Sequence, residues 1–230
     1  MARAVLGYTR NKLDIFLVGK LFDNSAVGKY NIGQEFAILP LTEVITPAST
    51  AMFPALAQYR DRKAELFDKT YKYFALVYGF VLPCIVGIWF IAPQFCTVIL
   101  GPKWSDTAPL MSALAVLMLP FPLTVITNNL FDYLNKTQLS LFSDCVGILL
   151  LLTAFLTLSF DYVADFALVR AIIAIIAFLA ILIFARLTIG LSLLKMTSVL
   201  IVPLISSAIM WSCLYFGSVS YTHLTLPTSR

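Results

Sequence analysis

Long uncharged stretches separated by short charged knots set the pattern of this chain. Tyr73–Pro102, Thr107–Phe131, Cys145–Phe160 and Ala171–Ala185 contain no ionisable side chain apart from cysteine and tyrosine. A helix needs about 20 mostly apolar residues to cross the hydrocarbon core of a bilayer, and these stretches reach that length with modest flanks. The weak short-range alternation of a membrane β-barrel is missing. The pattern predicts an all-α, polytopic transmembrane helix bundle of about seven spans, near residues 3–22, 27–57, 72–100, 107–131, 140–160, 163–186 and 196–216.

Composition agrees: 60% of the residues are hydrophobic and 12% are charged, where a soluble domain carries about 25% charged residues. Loop charge sets orientation. Arg60, Arg62, Lys63, Lys69 and Lys72 lie between spans two and three, Lys136 between four and five, and Arg186 and Lys195 between six and seven. The alternate loops hold Asp23, Lys103, Asp106, Asp161 and Asp165. By the positive-inside rule the Arg60–Lys72 side is cytoplasmic, and the first span starts there. The Asn135-Lys136-Thr137 sequon then falls on the cytoplasmic side, where it has no meaning.

Ionisable groups inside spans are expensive and face a cavity or a partner. In the first span Arg10 and Asp14 are four apart and could pair, while Lys12 points elsewhere. In the second, Asn31, Glu35, Thr42, Thr46 and Ser49 form a polar stripe, with Glu43 beside it and Pro40 expected to kink the helix midway. A broken helix exposes backbone polar groups, which a membrane tolerates only inside protein or along a cavity. Arg170 could snorkel or meet Asp165, and Lys20 and Lys29 are placed to snorkel toward headgroups. The alternative for Glu35 and Glu43 is a purely structural role, bonding neighbouring helices.

Chemistry beyond binding finds little support. The four cysteines lie singly in apolar segments, and the one histidine, His223, falls in a tail of doubtful origin. No catalytic residue, cofactor or metal site is expected, and neither GxxxxGK[ST] nor GxGxxG occurs. Val219–Thr228 reads as a one-frame translation of a transposase-library sequencing adapter, so residues 218–230 are expected to be an assembly scar on a truncated reading frame.

The second span also carries a resemblance. Tyr30-Asn31-Ile32-Gly33-Gln34-Glu35-Phe36-Ala37-Ile38-Leu39-Pro40-Leu41-Thr42-Glu43, followed by Pro47 and Phe53-Pro54-Ala55, resembles the oligosaccharide-flippase (polysaccharide transporter, Wzx-like) branch of the MOP superfamily. Leu13–Lys20 with Gly28 and Tyr30, and Leu100-Gly101-Pro102-Lys103-Trp104 with Ala108-Pro109-Leu110, are similar to further motifs of that branch. The resemblance implies two six-helix lobes around a central cavity, this chain supplying the C-terminal lobe (1–188), an additional helix (189–217) and the adapter-derived tail (218–230). It implies no enzyme. The expected activity is export of a polyprenyl-diphosphate-linked oligosaccharide for exopolysaccharide, capsule or O-antigen synthesis. Its partners would be the lipid-linked oligosaccharide, the bilayer and a polysaccharide polymerase with chain-length machinery, with no nucleic acid. The substrate-path candidates are Arg10, Lys12, Asp14, Asn31, Glu35, Thr42, Glu43 and Arg170. On this reading the cations attract diphosphate, the other polar groups bind sugar hydroxyls, and the lipid tail stays in the bilayer. Acidic groups could instead carry a coupling ion. Competing readings are a multidrug or peptidoglycan-precursor exporter of the same superfamily, a membrane polysaccharide polymerase or ligase, and a structural membrane subunit.

Overall fold

The computed structural model describes residues 2–59, 61–133 and 138–225, with side chains from Lys12 to Phe216 except at 53, 60, 134–137, 139, 140 and 142–144. Arg60, Lys136, the Asn135 sequon and the side chains of Arg10 and His223 therefore lie outside the described residues. The described chain is all helical. It comprises α1 (Ala2–Leu21), α2 (Asn24–Pro40), α3 (Thr46–Ala57), α4 (Lys63–Gln94), α5 (Ala108–Leu114), α6 (Pro120–Tyr133), α7 (Gln138–Thr157), α8 (Val163–Ile189) and α9 (Leu193–Thr225).

Several of these merge into continuous rods, and the rods follow the seven expected spans. Asn24–Ala57, Lys63–Leu100, Pro102–Tyr133, Val163–Ile189 and Leu193–Phe216 are long and apolar enough to cross a membrane. The apolar part of α7, Cys145–Thr157, is shorter, and α1 carries charges along its length. The chain is a multi-pass helical membrane protein.

Proline explains where the rods depart from plain α-helix. Pro40 has no N–H for the carbonyl four residues back, and the next five residues, Leu41–Ile45, form a π-turn in which Thr46 N–H bonds the Leu41 carbonyl. The same happens after Pro93, where Phe95–Leu100 is π-helical until Gly101, at φ 96°, ends the rod. In the fourth rod Pro120 cannot donate to Val116, so Leu119 N–H bonds Val116 at 3.0 Å and Ala115–Met118 tightens into a 3-10 turn. The Tyr78 hydroxyl donates to the Leu119 carbonyl at 3.0 Å across this break. Buried protein thus satisfies the loosened backbone.

The third rod starts at Lys63, about nine residues before the expected boundary. Its first turns are amphipathic. Leu66, Thr70, Tyr73, Phe74 and Val77 bury one face, while Asp68 and Lys72 pair at 2.7 Å on the exposed side. Charge ended the apolar run in the sequence without ending the helix.

Small residues set the closest approach. Gly33 on α2 faces α5: a Cβ there would sit 3.2 Å from Thr107 Cγ2 and 3.3 Å from Leu110 Cβ. Such close helix contacts stand in for a hydrophobic drive that lipid does not supply. Elsewhere α4 packs along α9, where Gly87 meets Met210 and Phe90 meets Trp211. At the cytoplasmic corner the Ser192 N–H donates to the Tyr71 hydroxyl at 2.7 Å, tying the α8–α9 turn to α4.

Gly33→Leu is expected to destabilise the bundle by about 1–3 kcal/mol or more through overpacking, and Gly33→Ala by less. Thermal unfolding of the detergent-solubilised protein checks the order; equal melting temperatures for wild type and Gly33→Leu would contradict the close α2–α5 packing.

Candidate functional site

Five helices ring a cavity. α1 packs on α2 and α7, α7 on α6 and α8, and α8 on α6. The cavity between them has a volume of about 730 Å³, within the roughly 300–1,000 Å³ typical of pockets for small molecules. Lys12, Asp14, Asn31, Glu35, Thr42 and Arg170 all line it, with Gln34 and Thr124 added. Residues nominated from three separate spans therefore meet in one place.

An ion pair crosses the ring. Arg170 Nε on α8 donates to Asp14 Oδ2 on α1 at 2.7 Å, and Asp14 is 1% exposed. Gln34 Nε2 lies 3.5 Å from the same oxygen. The sequence offered Arg10 to Asp14 and Asp165 to Arg170. Asp165 instead caps the start of α8, accepting from Tyr162 N–H at 3.3 Å. Arg170, two turns further along, faces inward, where a buried carboxylate satisfies it better than an exposed one. Lys29 also finds a partner rather than only snorkelling, binding Asp106 at 2.7 Å, while Lys20 lies over the Phe16 ring.

The polar stripe of the second span is interrupted. Asn31, Glu35 and Thr42 face the cavity, but Glu43 is exposed outside its lining. Past the π-turn, Ser49 is buried and hydrogen-bonded to the Tyr73 hydroxyl on α4. A π-turn advances each residue through a smaller angle than an α-turn, so the face rotates away from the cavity and toward α4. Gln34 was legible and passed over: it stands three residues from Asn31, on the same helical face.

The cavity is layered by depth. Loop charge puts the start of α2, the end of α1 and the start of α8 on the outer side. At 1.5 Å rise per residue, Asp14 and Arg170 lie about 10 Å from the outer ends of α1 and α8, and Asn31, Lys12 and Glu35 within about 17 Å. Below that level the described lining includes Ile38, Leu41, Phe121, Ile181 and Phe184, while Leu150 of α7 stands level with the ion pair. The two hydroxyls at that depth are spent on backbone: Thr42 donates to the Leu39 carbonyl at 3.1 Å and Thr124 to that of Pro120 at 2.8 Å. Among the described residues the outer half is charged but balanced, Lys12 and Arg170 against Asp14 and Glu35, and the cytoplasmic half is mainly apolar. Among the described residues no group of three or more His, Cys, Asp or Glu is placed to hold a metal ion.

A multi-pass helical bundle with an open, partly polar cavity defines the class, and comparison with known proteins narrows it. Residues 1–109 match the family described as polysaccharide biosynthesis protein. The chain is 23% identical over 115 residues to the lipopolysaccharide biosynthesis protein WzxC of Escherichia coli K12, covering 50% of this chain and 23% of that protein. It is 25% identical over 172 residues to the teichuronic acid biosynthesis protein TuaB of Bacillus subtilis 168, covering 73% of this chain and 35% of that one. An uncharacterized membrane protein in the cps region of Klebsiella pneumoniae is 24% identical over 113 residues. No solved structure gives a significant match. Over its first 109 residues the chain is therefore similar to polysaccharide biosynthesis proteins, and its matches span 23% to 35% of the curated relatives' length.

Removing one partner of a largely buried ion pair weakens the compensation of the other charge, at a cost of up to about 3–5 kcal/mol. Arg170→Leu is expected to destabilise the bundle by that order, and the double variant Asp14→Asn/Arg170→Leu to recover much of the loss. Melting curves of the two single variants and the double check it; strict additivity would show that the pair is not coupled.

Proposed function

We propose that this chain forms part of a transporter that moves a polyprenyl-diphosphate-linked oligosaccharide across the bacterial membrane. The observation that carries the reading is the convergence of Lys12, Asn31, Glu35 and Arg170 on one open cavity of the bundle, with the first three lying in the segment that matches the polysaccharide biosynthesis family. A sugar needs hydrogen-bond donors and acceptors in place of water. Asn31, Gln34 and Glu35 offer both, within one face of α2. The diphosphate needs cations, which Lys12 and the guanidinium nitrogens of Arg170 not engaged by Asp14 supply. The lining is not mainly acidic, as capture of a cationic drug would require.

The division of the chain is part of the same proposal. α1–α8 correspond to one six-helix lobe of such a transporter, α9 to an additional helix, and residues 218–230 to adapter-derived sequence. α9 packs on α4, which contributes nothing to the cavity lining, so the cavity belongs to the lobe.

The test is binding of a polyprenyl-diphosphate oligosaccharide to the chain in nanodiscs, followed by its translocation in proteoliposomes. Lys12→Gln and Glu35→Gln are each expected to weaken binding about tenfold, the effect of losing one hydrogen bond to a charged group. Unchanged affinity in both variants, or no binding by the wild-type chain, would contradict the assignment of this cavity.

A further inference from the structure

The layering of the cavity fixes which way round an amphiphile can lie in it. The charged and amide groups, Lys12, Asp14, Asn31, Gln34, Glu35 and Arg170, form a band about 10–17 Å below the outer helix ends. Among the described residues the cytoplasmic part of the same cavity is walled by Ile38, Leu41, Phe121, Ile181 and Phe184. The cavity-facing positions of α8, residues 170, 173, 174, 177, 180, 181 and 184, all lie on one helical stripe. That stripe carries its one charge at the outer end, and its aromatic at the cytoplasmic end. Thr42 and Thr124, the hydroxyls at the lower level, are bonded to their own backbones.

A headgroup of sugars and diphosphate placed in the lower half would find, among the described residues, no charged or amide partner, at a cost of several kcal/mol for each polar group left unsatisfied. In the upper half it meets the band of polar side chains. The tail has the opposite preference. Within this chain the cavity measures about 730 Å³, room for the junction: the diphosphate, the first sugar and the first prenyl units.

We propose that the cavity binds this junction head-outward, with the diphosphate and first sugar at Lys12, Asn31, Glu35 and Arg170 and the first prenyl units against Phe121, Ile181 and Phe184. That is the orientation of a lipid in the outer leaflet, so the site holds the translocated lipid before release rather than the incoming one. The inference rests on the proposed function and modifies one expectation drawn from the sequence, that the tail stays wholly in the bilayer. Alanines at 174, 177 and 180 keep the α8 wall shallow where the chain would pass.

Photo-crosslinking tests it. A benzophenone side chain is placed at position 31 or 181 of the chain in phospholipid nanodiscs, with a polyprenyl diphosphate monosaccharide as probe, and mass spectrometry locates the attachment. Position 31 is expected to capture the sugar and position 181 the prenyl chain. Capture of the sugar from position 181 would overturn the orientation. So would capture there of phospholipid acyl chains that excess probe does not displace, which would mean that ordinary lipid fills the lower half. In parallel, retention of radiolabelled probe on the unmodified chain is measured. Its absence would defeat the proposed function itself, whereas retention with the reversed crosslinking pattern would defeat only the orientation. As a second measurement, Ile181→Asn is expected to weaken binding of the prenylated probe about tenfold and leave that of the water-soluble sugar diphosphate unchanged. Equal effects on both would place the prenyl chain elsewhere.

Discussion

A carboxylate and a guanidinium held inside a lipid-embedded bundle have to meet, and the place where Asp14 and Arg170 meet organises the rest. Neither charge could be buried alone. Their contact joins the first helix to the eighth, residues 156 positions apart, and so ties together a ring whose described contacts are otherwise largely apolar. Lipid offers apolar side chains as good an environment as a neighbouring helix does, so such packing has little preference for one arrangement. The ion pair has a strong one. With α1 and α8 fixed at that level, the polar face of α2 is held against the same space, and a cavity results.

The prolines supply the second constraint. Each removes a backbone donor, and in a membrane the orphaned carbonyl must be satisfied within the protein. At Pro40 the response is a π-turn, and at Pro120 a 3-10 turn with Tyr78 donating to the carbonyl of Leu119. Both irregular segments contribute cavity lining, Leu41 and Thr42 from one and Leu117 and Pro120 from beside the other. The π-turn has a further effect. It ends the polar face of the second rod at Thr42, so that Ser49 serves the packing of α3 on α4 instead of the cavity. A single local rearrangement thus separates the binding half of the rod from its structural half.

Much of this was legible in the sequence, and what was not has identifiable causes. Helix number, orientation by loop charge and the polar character of spans one and two follow from hydropathy and the cost of buried charge. The stripe from Asn31 to Thr42 follows from helical periodicity. Its continuation to Ser49 did not hold, because a constant 3.6-residue period cannot anticipate a π-turn. The partner of Arg170 was hidden because Asp14 lies far away in sequence while Asp165 is near. The apolar wall of α8 was hidden for another reason. That helix is hydrophobic all round, with Ile172, Ile176 and Leu179 exposed on one side and Ile173, Ala174 and Phe178 buried on the other, so no pattern distinguishes the cavity side from the lipid side. The family match covers residues 1–109, which is also where the motifs lie; α7 and α8 had only hydropathy to identify them.

The account turns on the claim that water reaches the upper part of the α2 face and that the π-turn ends it. Accessibility of single cysteines to a membrane-impermeant thiol reagent applied from the outer side tests this most directly, in a background with Cys84, Cys96, Cys145 and Cys213 replaced. Cysteines at 31 and 35 are predicted to react, and one at 49 to be protected by its packing against Tyr73. Silence at 31 and 35, or equal labelling at 31, 35 and 49 as from one unbroken stripe, would contradict it.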